Sequence, residues 1–143
     1  MIVQIMLGIL LANFYEWGIH KYLLHGMGKN KKSFWSFHWK DHHNRARRDH
    51  NYDSKFYPKE VLSLQLFFIL HAYFLIQYPA LLVAMGSYAV AYYIVHRYAH
   101  HHPVWCKKYL RWHWDHHMGK DQDKNWCILF PLADYIMGTR KKT

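Results

Sequence analysis

The sequence predicts an all-α integral membrane protein with an anchor helix, a helical hairpin and a cytoplasmic, histidine-rich helical cap holding a dimetal site. Three observations point there. Charged side chains are excluded from Met1–Tyr15 and Val61–His96, while every Lys and Arg falls in 16–60 or 97–143. Hydrophobic residues make up 52% and aromatics 19%, which excludes a disordered or low-complexity chain. Fourteen of the 143 residues are histidine, far more than packing requires. A chain of this length fits one domain, residues 1–143.

The N-terminus, MIVQIMLGILLANFYEWGIHKYLLHG, has no positive residue ahead of its apolar stretch. It reads as a retained anchor rather than a cleaved signal, helical past Glu16 to about Leu24, with Trp17 and Tyr22 as interfacial aromatics. The run Val61–His96 would be about 54 Å long as one helix, nearly twice a hydrocarbon core of ~30 Å. It must fold back, and Gln77-Tyr78-Pro79 supplies the turn, because proline restricts its predecessor and lacks an amide donor. Val61–Gln77 and Pro79–His96 are therefore two short membrane helices. The loop between them lacks Lys and Arg, so the positive-inside rule puts 16–60 and 97–143, with their histidines, on the cytoplasmic side.

The formal charge of +10 raises nucleic acid as a partner, but that gives the apolar hairpin no role. The basic runs Lys29-Lys31-Lys32, Arg45-Arg47-Arg48 and Arg140-Lys141-Lys142 suit anionic lipid headgroups instead. Cys106 and Cys127 show no C-x-x-C spacing and are expected to stay free in a reducing compartment.

Ten histidines form four clusters: His20 and His25; His38, His42 and His43; His96 and His100; His113, His116 and His117. At about 3.6 residues per turn, side chains three or four apart share a helix face. His113, His116 and His117 then line one face, His96 pairs with His100, and His38 pairs with His42. His20 and His25, five apart, stand about 140° apart on an α-helix and flank a face. Ten imidazoles exceed the ligand set of one metal and match two. There is no Glu-x-x-His pattern of the carboxylate di-iron bundles. Imidazole suits zinc, copper, iron and nickel alike, so the ligands alone do not name the metal.

Among the remaining groups, Asp41 and Asp115 neighbour the clusters and are expected either to orient imidazole N–H groups or to stand as exposed charges. His71 is expected to be a hydrogen-bonded interior residue or a substrate neighbour. His101 and His102 point away from the His100 face, behind the ligands or on the surface. His50 is undecided.

The ordered motifs H-x4-H, H-x3-H-H, H-x3-H and H-x2-H-H, with the ending Asn125–Thr139 (NWCILFPLADYIMGT), resemble the fatty acid hydroxylase/sterol desaturase superfamily of membrane di-iron oxygenases. The second motif is one residue longer than the H-x2-H-H often seen there. The resemblance implies that the ten histidines hold two iron ions, with zinc able to replace them during overexpression. It implies O2 as co-substrate, an unactivated C–H bond of a lipid-like substrate as target, and hydroxylation ahead of desaturation. It also implies a separate electron donor of ferredoxin or cytochrome b5 type. In size the chain approaches the carotenoid hydroxylases of the same broad group. Within the tail, Phe130–Tyr135 is expected to cap the histidine domain by packing, with Asp134 stabilising a helix start or a basic neighbour. Two other readings compete. A non-enzymatic membrane metal-binding or transport protein would line its spans with histidines, and a bis-histidine haem protein would use only facing pairs.

Overall fold

The computed structural model describes residues 1–142, with all side chains except those at 64 and 73–75. The regular structure is entirely helical, with no strand among the described residues. Helix α1 (Ile2–Gly18) runs directly into a π-helical segment, Ile19–Met27. Together they make a 26-residue helix long and apolar enough to cross a membrane, as is α4 (Pro79–His101). Helix α3 (Pro58–Gln77) lies between them in sequence, and Tyr78 leaves the helical region at φ −132, ψ 64 before Pro79 opens α4. The turn is where proline chemistry places it. The first long helix, however, continues beyond Leu24 to Met27, and α4 continues beyond His96 to His101, so both carry histidines on their last turns.

Helix α4 has α1 as its main partner rather than its hairpin mate α3. Gly8 explains the fit, since a Cβ there would lie 2.7 Å from the Leu81 carbonyl oxygen and 2.8 Å from Ala84 Cβ. Only glycine allows that approach, the small-residue packing by which membrane helices associate. Ala12 continues the seam against Met85 and Tyr88. With α3 standing off, an apolar cavity of about 340 Å³ remains between α1, α3 and α4.

The cap gathers at one end of these helices. It comprises a second π-helical segment (His38–His43) running into α2 (Asn44–Arg48), then α5 (Pro103–Tyr109), α6 (Arg111–Met118) and α7 (Leu132–Ile136). The C-terminal segment is stitched back to the helices by buried hydrogen bonds. Asp134 accepts from the Trp126 and Cys127 amides at 2.9 and 2.8 Å and from the Thr139 hydroxyl at 2.7 Å, while Trp17 Nε1 donates to Thr139 Oγ1 at 2.9 Å. Glu16 accepts from the Tyr88 hydroxyl and the Ile128 amide, and Asn13 donates to Tyr88 Oη and the Phe130 carbonyl. The tail thus does the packing work its sequence suggested. Each of these polar groups costs free energy to bury and regains it only by pairing. Cys106 and Cys127 are both free and buried, and burial pushes the Cys106 thiol up to about 12.

Candidate metal centre

All ten clustered histidines are buried, and they converge in one layer at the cap's junction with the long helices. Nine of them form two groups in which one ring nitrogen per residue lies within 4.8 Å of the others: His20, His25, His38, His43 and His116; and His42, His96, His100 and His117. His113 adjoins the second group, with its Nε2 3.2 Å from His100 Nε2. The sequence clusters do not map one to one onto these groups. His42 and His43 diverge, as do His116 and His117, each adjacent pair giving one ring to either group.

The α-helical spacing rule misplaces two pairs here, and the backbone gives the reason. In a π-helix hydrogen bonds run from i to i+5, as from the Gly28 amide to the Leu23 carbonyl at 3.0 Å. Residues five apart therefore share a face. His20 and His25 do not flank a face: their ring centroids are 5.1 Å apart within one group. His38, expected to pair with His42, does lie beside it, with centroids 5.2 Å apart, but its ring nitrogen falls in the group of His43, whose centroid is 4.9 Å away. The extra residue of the second motif is absorbed by the wide turn. A Cβ at Gly28 would overlap the Leu24 carbonyl oxygen, so glycine is needed where the first π-segment ends.

The far ring nitrogens are held from outside. Nδ1 faces a carbonyl or carboxylate in six rings: His20 on Trp126 O, His25 on Asp123 (3.3 Å), His42 on Asp53 (2.9 Å), His96 on Glu60 (3.4 Å), His100 on Asn51 O (2.9 Å) and His116 on Lys124 O (2.7 Å). A proton on Nδ1 leaves the Nε2 lone pair pointing inward, the arrangement metal-binding imidazoles use. His43 differs: its Nδ1 has Gln122 Nε2 at 3.1 Å rather than an acceptor, so nothing outside the ring holds a proton on that nitrogen. Inside, the Nε2 atoms of His20 and His38, His25 and His43, and His96 and His100 lie 3.0, 3.0 and 3.1 Å apart. His42 Nε2 and both nitrogens of His117 are buried without a hydrogen-bond partner. Buried polar atoms without partners are costly, and a shared cation would satisfy His42 Nε2 and one of the two His117 nitrogens. The donor set fits metal ions in both groups.

Burial, followed by neighbouring imidazoles, holds His38, His43, His113 and His117 well below the usual histidine range. Burial likewise lowers His116 to about 4, against the opposing hydrogen bond to the Lys124 carbonyl. The rings are neutral, as ligands must be. Burial works to raise the Asp53 carboxyl, but hydrogen bonds from His42, Tyr57 and the Lys55 amide outweigh it and hold the group below the ordinary carboxylate range.

The acidic residues that orient imidazoles are Asp53, Glu60 and Asp123. Asp41 instead is half-exposed and pairs at long range with Lys55 (4.0 Å), and Asp115 binds Arg111 at 2.8 Å. Each lies beside histidines in sequence on a helix whose imidazole face is elsewhere. The missed carboxylates sit in other segments, and only a charged residue in an otherwise sparing context, such as Glu60 at the start of an apolar helix, hinted at them. His71 bridges α3 and α1, with Nδ1 on Phe67 O (2.8 Å) and Nε2 3.0 Å from the Tyr15 hydroxyl. His50, His101 and His102 are exposed.

The apolar cavity abuts this layer. Its walls include Ala12, Leu66, Phe67, Leu70 and Met85 at one end, and His20, Glu60 and Ser63 at the other. Two of the wall residues lead straight into the histidine groups: His20 belongs to the first, and Glu60 holds His96 of the second.

A family model described as fatty acid hydroxylase matches residues 5–139 of the chain. No curated protein and no solved structure matched it.

Proposed function

The chain belongs to the fatty acid hydroxylase family, and from that premise we propose that it is a membrane di-iron oxygenase hydroxylating an unactivated C–H bond of a lipid-like substrate. We read residues 1–143 as a single domain of that kind. The observation that carries the reading is an apolar cavity that ends at His20 and Glu60, against the layer of buried histidines. His20, His25, His38, His43 and His116 would hold one iron, and His42, His96, His100, His117 and the adjoining His113 the other. Bound there, the irons supply with O2 the oxidising power that no side chain has.

The protein's own residues do the positioning. Leu66, Phe67, Leu70 and Met85 bind an apolar chain in a cavity at the small end of the about 300–1,000 Å³ that ligand sites span. A lipid lying with its polar end at the histidine layer presents nearby methylenes to the site, while its terminal methyl points away. Buried Trp126 stacks edge-on over His20 and His25 and keeps bulk water from the layer. Asp53, Glu60, Asp123 and three backbone carbonyls hold the Nδ1 protons. Electrons come from a separate donor of ferredoxin or cytochrome b5 type on the cytoplasmic side, where the positive-inside rule puts the cap. The exposed lysines and arginines lie against anionic membrane lipids. Desaturation, and a carotenoid-type hydroxylase of the same broad group, are alternatives within the same chemistry.

A metal carrier would need histidines along the spans. The cavity wall instead carries one imidazole, His20, at its end, which favours the enzyme. Lipid profiling of cells expressing the chain, against a His113/His116/His117 triple-alanine control, tests the reading: a new oxygen-containing lipid is expected only with the intact chain. Metal analysis and Mössbauer spectra of protein purified anaerobically should show iron. A Soret band or a metal-free protein would overturn it.

A further inference from the structure

Two consecutive non-glycine residues, His50 and Asn51, have left-handed backbones, with φ of 52° and 71°. Such conformations are uncommon outside glycine, and asparagine tolerates them best. The turn follows α2 and runs beneath α4. Asn51 is fully buried. Its amide donates to the Ala46 carbonyl at 2.6 Å and its Nδ2 to Cys106 Sγ at 3.4 Å, so the turn is clamped between α2 and α5. Its Oδ1 has no partner, so the side chain is not fully satisfied where it lies. The carbonyl, by contrast, accepts from His100 Nδ1 at 2.9 Å. Two residues on, the Asp53 amide donates to the His100 carbonyl at 3.3 Å, and the Asp53 carboxylate takes His42 Nδ1 and the Tyr57 hydroxyl at 2.9 and 2.7 Å.

We propose that Asn51 is a positioning residue for the second histidine group, acting through its left-handed backbone, which aims its carbonyl at His100 and delivers Asp53 to His42. The proposal rests on the reading of these histidines as metal ligands. The one segment Asp49–Asp53 thus sets the ring orientation of two members of that group, by hydrogen bonds to His100 and His42. Backbone strain of this kind persists where the surrounding structure over-determines it, commonly at functional sites. The functional element is the carbonyl direction, so glycine, which adopts positive φ freely, should replace asparagine, whereas a β-branched residue should not.

The test uses full-length protein in detergent, loaded anaerobically with Fe(II) and titrated with a colorimetric iron chelator. Wild type is expected to release iron in two steps. Asn51→Val should weaken one step by about 10- to 100-fold, the usual cost of losing an outer hydrogen-bond partner, and leave the other unchanged, while Asn51→Gly should keep both. Asn51→Ala, milder in strain, is read the same way if the valine variant does not fold. Unchanged release from the valine and alanine variants, equal weakening of both steps, or a glycine variant as impaired as alanine each overturn the proposal. A wild type that binds no iron would instead refute the metal reading itself.

Discussion

His42 and His43 are neighbours in the chain and serve different groups. His43 Nε2 lies 3.0 Å from His25 Nε2, while the His42 ring packs edge-on against His100 with centroids 4.5 Å apart. His116 and His117 repeat the divergence, His116 Nε2 lying 3.2 Å from His43 Nε2 and the His117 ring 4.7 Å from that of His100. Two pairs of adjacent residues therefore bind the two groups into one unit.

That arrangement predicts which metal each substitution removes. His116→Ala and His117→Ala should each abolish turnover and lower iron content, the first at the group containing His20 and the second at the group containing His100. His71→Ala, whose ring bonds to Phe67 and Tyr15, should retain both metals. Iron stoichiometry with product formation on the same preparations checks this, and normal turnover in either of the first two would contradict it.

Asp53 holds His42 while itself accepting from Tyr57 and the Lys55 amide. Asp53→Asn should weaken one metal by roughly 10- to 100-fold, measured by chelator competition, with helical circular dichroism unchanged.

Acid should destabilise the metal-free protein in a definite window. His116 sits at about 4 when folded, because burial disfavours its charged form, against 6.5 as the ordinary value. Between those values the unfolded chain binds the extra proton, so stability is fully present above pH 6.5 and falls as pH drops toward 4, by about 3 kcal/mol for this one ring. Thermal unfolding of metal-free protein from pH 7.5 to 4.5 should show Tm falling below pH 6.5. A flat profile would mean the ring is not buried and neutral.

Gly8→Ala should loosen the α1–α4 seam, since the added methyl meets the Leu81 carbonyl and Ala84 Cβ. A cost of about 1–3 kcal/mol is expected from such overpacking, seen as a lower Tm in detergent. Gly18→Ala, where a Cβ meets nothing within 4 Å, is the matched control and should be near neutral.

Much of this architecture was legible in the residues. Charge exclusion marks the long helices, Tyr78-Pro79 marks the turn, and the ten histidines announce themselves by spacing. The π-helical segments are less legible, although two i, i+5 pairs, His20/His25 and His38/His43, carry the signal. An α-helical period assigns those pairs to different faces and so obscured it. Asp53, Glu60 and Asp123 escaped because they reach their imidazoles across chain separations of 11, 36 and 98 residues, which local patterns do not encode. Gly8 permits α1 to approach α4 closely, and which of two apolar neighbours α4 packs against is a tertiary competition that composition alone does not rank.

The wide turn at Ile19–Met27 gives the chain an unequal tolerance to length changes. Removing one residue between His20 and His25 would let the coil tighten to the ordinary α repeat with both rings still in line, four apart instead of five. Adding one would swing the second ring out of the layer, with no common helix type to take up the slack.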